Sequence, residues 1–220
     1  MGSKLLKKLR MTLDGEIKNI LFVQLLQIDE KGIDFRIAKN KRYYMYPPYG
    51  LGILASHAKN KNFNAKLVDL NYEVFNNLQK SEKQIDSEDI KSIWENKLYS
   101  ELKSFKPDLV CLSCMFTMSH KMLGDVSSYI KRVLPDVPIL AGGVHVTNAP
   151  KKVLVDSPNI DFVGLYEFDV AFCNFLDFIK NSEDNGAKLS QMATMIDGEF
   201  FSLKKIVRPS DDGLNISPFY

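Results

Sequence analysis

Two short stretches gather most of the side chains that could bind or react. Ser113-Cys114-Met115-Phe116-Thr117-Met118-Ser119 mixes hydroxyls with soft apolar surface. Such a lining suits a large ligand with an apolar plane and a polar edge, although Ser119 could equally cap a helix while the methionines simply pack. Ala141-Gly142-Gly143-Val144-His145-Val146-Thr147 sets paired glycines beside a histidine. Without Cβ atoms the backbone there can come into contact with a ligand, or can merely turn tightly. His145 could hydrogen-bond a ligand or hold a metal. No partner ligands at a recognisable spacing accompany it, so a hydrogen-bonded structural role is the stronger expectation. Cys111 and Cys114 have C-x-x-C spacing but lie in the apolar run Leu109-Val110-Cys111-Leu112-Ser113-Cys114 with no second pair, which favours a core strand over metal or redox chemistry.

Several chemistries lack their residues. No G-x-G-x-x-G and no P-loop occurs, so the dinucleotide and nucleoside-triphosphate fingerprints are missing. A phosphorelay receiver needs an aspartate where Ser113 and Cys114 stand, and a serine hydrolase needs G-x-S-x-G, which is absent. With 29 basic and 27 acidic residues the net charge is only +2, unlike a nucleic-acid binder with a large basic excess on one face. Three cysteines form no disulfide framework and no signal peptide is legible, which together point to a reducing cytoplasm. No run approaches the roughly 18 apolar residues of a spanning helix. The basic amphipathic start, Lys4-Leu5-Leu6-Lys7-Lys8-Leu9-Arg10, could touch a membrane surface but is expected to be a frayed, solvated leader.

The elements that must position these residues alternate strand and helix. Asn19–Leu26, Ala65–Leu70, Asp108–Met115, Val137–Ala141 and Ile160–Leu165 are apolar runs of strand length, the pattern of strands buried on both faces of a parallel sheet. Between them, helices are expected from Pro47 to about Asn60, from a Ser87 cap to about Ser104, from Ser119 to Pro135, over Pro150–Asp156 and over Glu167–Lys180. The single Trp94 falls on the apolar stripe Ile90, Ile93, Trp94, Leu98 and Leu102, so it belongs to the core. Asn71 to Asp86 is expected to be irregular. Gln191–Ile196 and Glu199–Val207 flank Asp197-Gly198, a type I′ hairpin signal, and Asp211–Tyr220 looks like a linker.

The fold class is therefore α/β: a doubly wound five-stranded parallel sheet in flavodoxin-like order 2-1-3-4-5, with a C-terminal β-hairpin. The expected division is a flexible leader over 1–16, an α/β domain over 17–182, and a hairpin and linker over 183–220. In such a sheet the ligand crevice lies beyond the carboxyl ends of the strands. The loops there are Gln27–Gly50, Met115–Ser119, Gly142–Asn148 and Tyr166–Asp169.

Tyr46-Pro47-Pro48-Tyr49-Gly50-Leu51-Gly52, Asp69-Leu70-Asn71, Lys106-Pro107-Asp108-Leu109-Val110, Gly142-Gly143-Val144-His145-Val146-Thr147 and Asp161-Phe162-Val163-Gly164-Leu165-Tyr166-Glu167 occur in this order. As a set, spanning Asn19 to Lys180, they resemble the N-terminal cobalamin-binding domain of radical S-adenosylmethionine proteins. The hairpin and Ser217-Pro218-Phe219 resemble the family's bridge into its catalytic domain. The resemblance implies a Rossmann-type cobalamin-binding fold with the corrin across the strand ends. It implies that Pro48, Tyr49, Gly50 and Leu51 border the corrin, and that Ser113, Phe116, Thr117 and Met118 line the third-strand side. Gly142, Gly143 and His145 would approach the nucleotide tail, and Tyr166 and Glu167 would close the rim.

Departures from the family pattern refine this expectation. Mutase and methionine-synthase cobalamin domains carry D-x-H-x-x-G after the first strand, whereas residues 27 to 33 here are Gln-Ile-Asp-Glu-Lys-Gly-Ile. A bound cobalamin would therefore lack a protein histidine below cobalt. Tyr166 stands where a small glycine is usual, which narrows the pocket. No C-x-x-x-C-x-x-C occurs, so the iron–sulfur cluster and S-adenosylmethionine would belong to a catalytic domain or separate catalytic chain outside this sequence. The expected function is a cobalamin-binding module for methyl transfer in a radical enzyme, with no side chain acting as acid, base or nucleophile. Two other readings stay open: a non-catalytic interaction or substrate-positioning domain with a degenerate site, and a flavodoxin-like domain binding FMN or another nucleotide.

Overall fold

Alternation along the strands builds a core on each face of one sheet. In β1 (Asn19–Gln24), Ile20 and Phe22 enter one apolar cluster while Leu21 and Val23 enter another. β3 (Leu109–Ser113) repeats the pattern, with Leu109 and Cys111 on the first side and Val110 and Leu112 on the second. Successive side chains of a strand point to opposite faces, so a continuous apolar run demands cover on both. A computed structural model of the chain describes residues 2–181, 186–203, 205–208 and 217–219.

The remaining strands are β2 (Asn64–Asp69), β4 (Ile139–Gly142), β5 (Phe162–Gly164), β6 (Met192–Ile196) and β7 (Glu199–Leu203). They form one sheet in the order β2-β1-β3-β4-β5-β6-β7. The first five are parallel in the expected order, and β6 and β7 extend the β5 edge antiparallel. Asp197 and Gly198 have φ of 49° and 78°, the two positive values that a type I′ turn requires.

One face is covered by α1 (Gly2–Thr12), α3 (Tyr49–Asn60) and α9 (Asp169–Lys180). The other carries α2 (Phe35–Lys39), α4 (Leu70–Lys80), α5 (Ser87–Phe105) and α6 (His120–Val133), with the short α7 (Val144–Asn148) and α8 (Pro150–Asp156). Trp94 is buried within α5, and its Nε1 donates to the buried Glu30 Oε1 at 2.8 Å.

Several local expectations are corrected. Residues 71 to 86, expected to be irregular, contain α4; Asp69 caps it by accepting from Tyr72 N, and Leu70, Val74, Phe75 and Leu78 are buried. Asparagines and glutamine around this stripe obscured its period. The cap of α5 is Asp86, which accepts from Glu88 and Asp89 N–H, rather than Ser87. Ser119 begins α6 without a side-chain cap; its hydroxyl instead donates to Gln27 O at 2.7 Å.

The expected flexible leader is α1, with Leu5, Leu9 and Leu13 buried and Lys8 Nζ donating to Met195 O at 2.8 Å. Its leucine stripe finds its apolar cover on distant parts of the chain, which no local pattern announces. Most of the expected linker, Asp211–Tyr220, lies outside the described residues. Its Ser217–Phe219 portion rests on α3, where Ser56 Oγ donates to Ser217 O at 2.7 Å and Phe219 N to Gly52 O at 3.0 Å.

Candidate functional site

The final residues of four parallel strands meet at one cleft. Gln24 of β1, Ser113 of β3, Gly142 of β4 and Gly164 of β5 all line it. Their alignment follows from the register, which pairs Gln24 with Ser113 and Ser113 with Gly142. The cleft encloses about 720 Å³. Pro47-Pro48 delivers the chain to α3, whose first turn supplies Tyr49, Gly50 and Leu51 to one wall.

Ten residues expected at the site share this cleft: Pro48, Tyr49, Gly50, Leu51, Ser113, Phe116, Gly142, Gly143, Tyr166 and Glu167. Three do not line it. Thr117 and Met118 lie in a single 3-10 turn before α6, with Met118 largely exposed. His145 sits in the first turn of α7 and is buried, with Nε2 2.8 Å from His120 Nδ1. His120 Nε2 in turn meets Asp156 Oδ2 at 2.9 Å, and Lys152 holds the same carboxylate oxygen at 2.6 Å. Burial, then His120 and Lys152 nearby, hold the His145 imidazole below the ordinary histidine range.

The paired glycines divide their roles. Gly143 has φ +111°, and an added Cβ would stand 2.5 Å from the Cys114 carbonyl oxygen. That carbonyl accepts from His145 N at 3.3 Å. Gly143 is therefore required by the crossing of two chain segments, and it also lines the cleft. At Gly142 an added Cβ would meet only Gly164 O, at an ordinary 3.7 Å.

The thiols at Cys111 and Cys114 belong to opposite apolar clusters, because residues three apart along a strand direction face opposite sides. Burial pushes the Cys114 thiol up to about 12 and raises that of Cys111 as well.

Tyr46, Val144, Thr147 and Asp169 line the cleft from the loops expected there, while Gln24, at the end of β1, lines it without a sequence signal. Thr147 had a legible position in the Gly142–Asn148 loop but no signal for its role: its Oγ1 accepts from Tyr166 N at 2.9 Å and ties the β4 loop to the β5 loop. Asp169, at the start of α9, is raised above the usual carboxylate range by burial, with His57 opposing that rise. His57 is itself lowered by burial, and its Nδ1 lies 3.2 Å from Cys173 Sγ.

The donor set suits a large organic guest more than a bare ion. The walls are mainly apolar, with Tyr46, Tyr49, Met115, Phe116, Val144 and Tyr166 exposed around the opening. Ser113, Gln24 and backbone groups supply a few polar contacts, the mixture expected of a cofactor site. The space beside Gly142 and the open mouth fit a broad, amide-edged tetrapyrrole such as cobalamin.

The B12 binding domain model matches residues 35–176. A cytidylyl-2-hydroxyethylphosphonate methyltransferase of Streptomyces wedmorensis is 25% identical over 138 residues, or 61% of this chain and 25% of that protein. The chain thus spans about a quarter of the length of this curated relative. Residues 35–176 hold the sheet-end cleft's α3, β3, β4 and β5 walls, and with that match across most of its 220 residues the chain belongs to the B12 binding domain family.

Proposed function

We propose that the protein is a cobalamin-binding module that serves methyl transfer in a radical S-adenosylmethionine enzyme, with the cluster chemistry supplied by a catalytic domain or chain beyond the sequence described. The observation that carries the reading is the apolar cleft over the ends of β1, β3, β4 and β5, in a chain of the B12 binding domain family. The methyltransferase name of a relative supports the reaction class. When bound, cobalamin supplies a cobalt centre able to carry a methyl group.

The chain's own residues bind and shield. Tyr49, Leu51 and Phe116 would offer apolar surface to a macrocycle, and the Ser113 hydroxyl, which lines the cleft, would hydrogen-bond its polar edge. Glu167 and Tyr166 border the mouth and restrict solvent. None of the three histidines lines the cleft: His57 pairs with Cys173, and His120 with His145. That arrangement supports a corrin held without a protein histidine under cobalt.

Incubation of the purified chain with hydroxocobalamin, followed by gel filtration, tests the proposal. A corrin visible spectrum co-eluting with protein near one equivalent is expected. Elution without chromophore would sink the proposal in favour of a degenerate interaction domain, and retention of FMN in its place would favour the flavodoxin-like reading.

A further inference from the structure

Tyr166 adopts φ +61°, a left-handed conformation that is sterically costly for a bulky aromatic and free for glycine. The surrounding chain pins it there. Tyr166 N donates to Thr147 Oγ1 at 2.9 Å. The carbonyls on either side, Leu165 O and Glu167 O, both accept from Gln191 Nε2, at 3.0 and 2.7 Å. Leu165 N also donates to Gln191 O at 2.8 Å. Gln191 is fully buried, has φ +54° itself, and accepts from Val207 N through Oε1 at 2.7 Å. One buried amide thus saturates both of its ends while gripping the peptide units around Tyr166.

A glycine at 166 would satisfy this backbone without strain. Backbone strain kept at a residue that lines a ligand cleft motivates a role for its side chain. The residue stands at the cleft, 54% exposed, so its burial does little to repay the conformation. We infer that Tyr166 is a specificity-determining residue, an aromatic wall on which the flat apolar face of the guest rests, and that Gln191 is the positioning residue that holds it at the cleft. The inference rests on the cobalamin reading above and names which side chain of the site selects the guest.

Spectroscopic titration of the full chain with hydroxocobalamin, paired with thermal unfolding of the apoprotein, provides the test. Tyr166→Gly is expected to weaken binding about tenfold while leaving the thermal midpoint unchanged or higher, and Tyr166→Phe to bind within about twofold of the parent. Gln191→Leu should also weaken binding in the parent but add nothing in the Tyr166→Gly background, because its effect passes through the ring. Undiminished binding by Tyr166→Gly overturns the inference and leaves the cobalamin reading standing. A parallel fall in affinity and midpoint for Tyr166→Gly makes the residue structural and overturns it as well. Should Gln191→Leu fail to fold, the Tyr166 variants decide alone. A parent chain that takes up no corrin removes the cobalamin reading, and this inference with it.

Discussion

At Gly143 an added Cβ would stand 2.5 Å from a backbone oxygen, while at Gly142 it would meet only Gly164 O at 3.7 Å. The two positions therefore separate folding from binding. Gly143→Val forces a left-handed residue into a backbone crossing and should lower the unfolding free energy by about 2 kcal/mol. Gly142→Val adds volume at the cleft floor in a strand, where a β-branched residue is welcome. It should keep stability and weaken hydroxocobalamin binding at least about tenfold. Denaturant unfolding and corrin titration of both variants check this, and full affinity in a folded Gly142→Val chain would remove Gly142 from the site.

Elements settle which segments belong to the folded unit. The helix α1 buries Leu5 and Leu9 to 1% and 0% exposure against the face shared with α3 and α9, so it is a structural layer. Leu9→Ala should cost about 3 kcal/mol of unfolding free energy, as for other fully buried leucines. A change indistinguishable from zero would restore the picture of a frayed leader. The hairpin strands matter in the same way, since β6 both extends the sheet from β5 and follows directly on Gln191, the residue that grips the cleft rim.

For the whole molecule, the clearest electrostatic consequence comes from two histidines on opposite faces. His57 on α3 and His145 on α7 are both lowered, in each case chiefly by burial. The unfolded chain takes up protons at these residues near pH 6.5, whereas the folded chain resists until the pH is lower. Over that interval the unfolded state binds more protons, so stability falls as the pH drops. Thermal midpoints should decline from about pH 7.5 to about pH 5.5, and His145→Asn should flatten the decline. Asp69 and Asp169 are raised by burial and act in the opposite direction at the acidic end, so the slope difference between parent and variant is the informative quantity. An identical slope in both proteins would show that His145 does not titrate differently on folding.

The amino-acid sequence alone indicated the parallel sheet and the I′ hairpin, because apolar runs, helical stripes and Asp197-Gly198 are local patterns that each element carries in itself, and the strand order followed from the order such five-stranded sheets favour. It also indicated which loops gather at the strand ends, since a parallel sheet brings them together whatever their side chains. Only the tertiary structure decided which of those side chains face the cleft. Neighbours in sequence part company there: Gly142 lines open space while Gly143 presses on Cys114, and His145 turns onto His120 while Thr147 reaches Tyr166. The burial of α1 and the grip of Gln191 on Tyr166 were illegible for a related reason. Each depends on partners distant along the chain, so the energy that fixes it resides in packing and hydrogen bonds that exist only once the sheet has closed the distance.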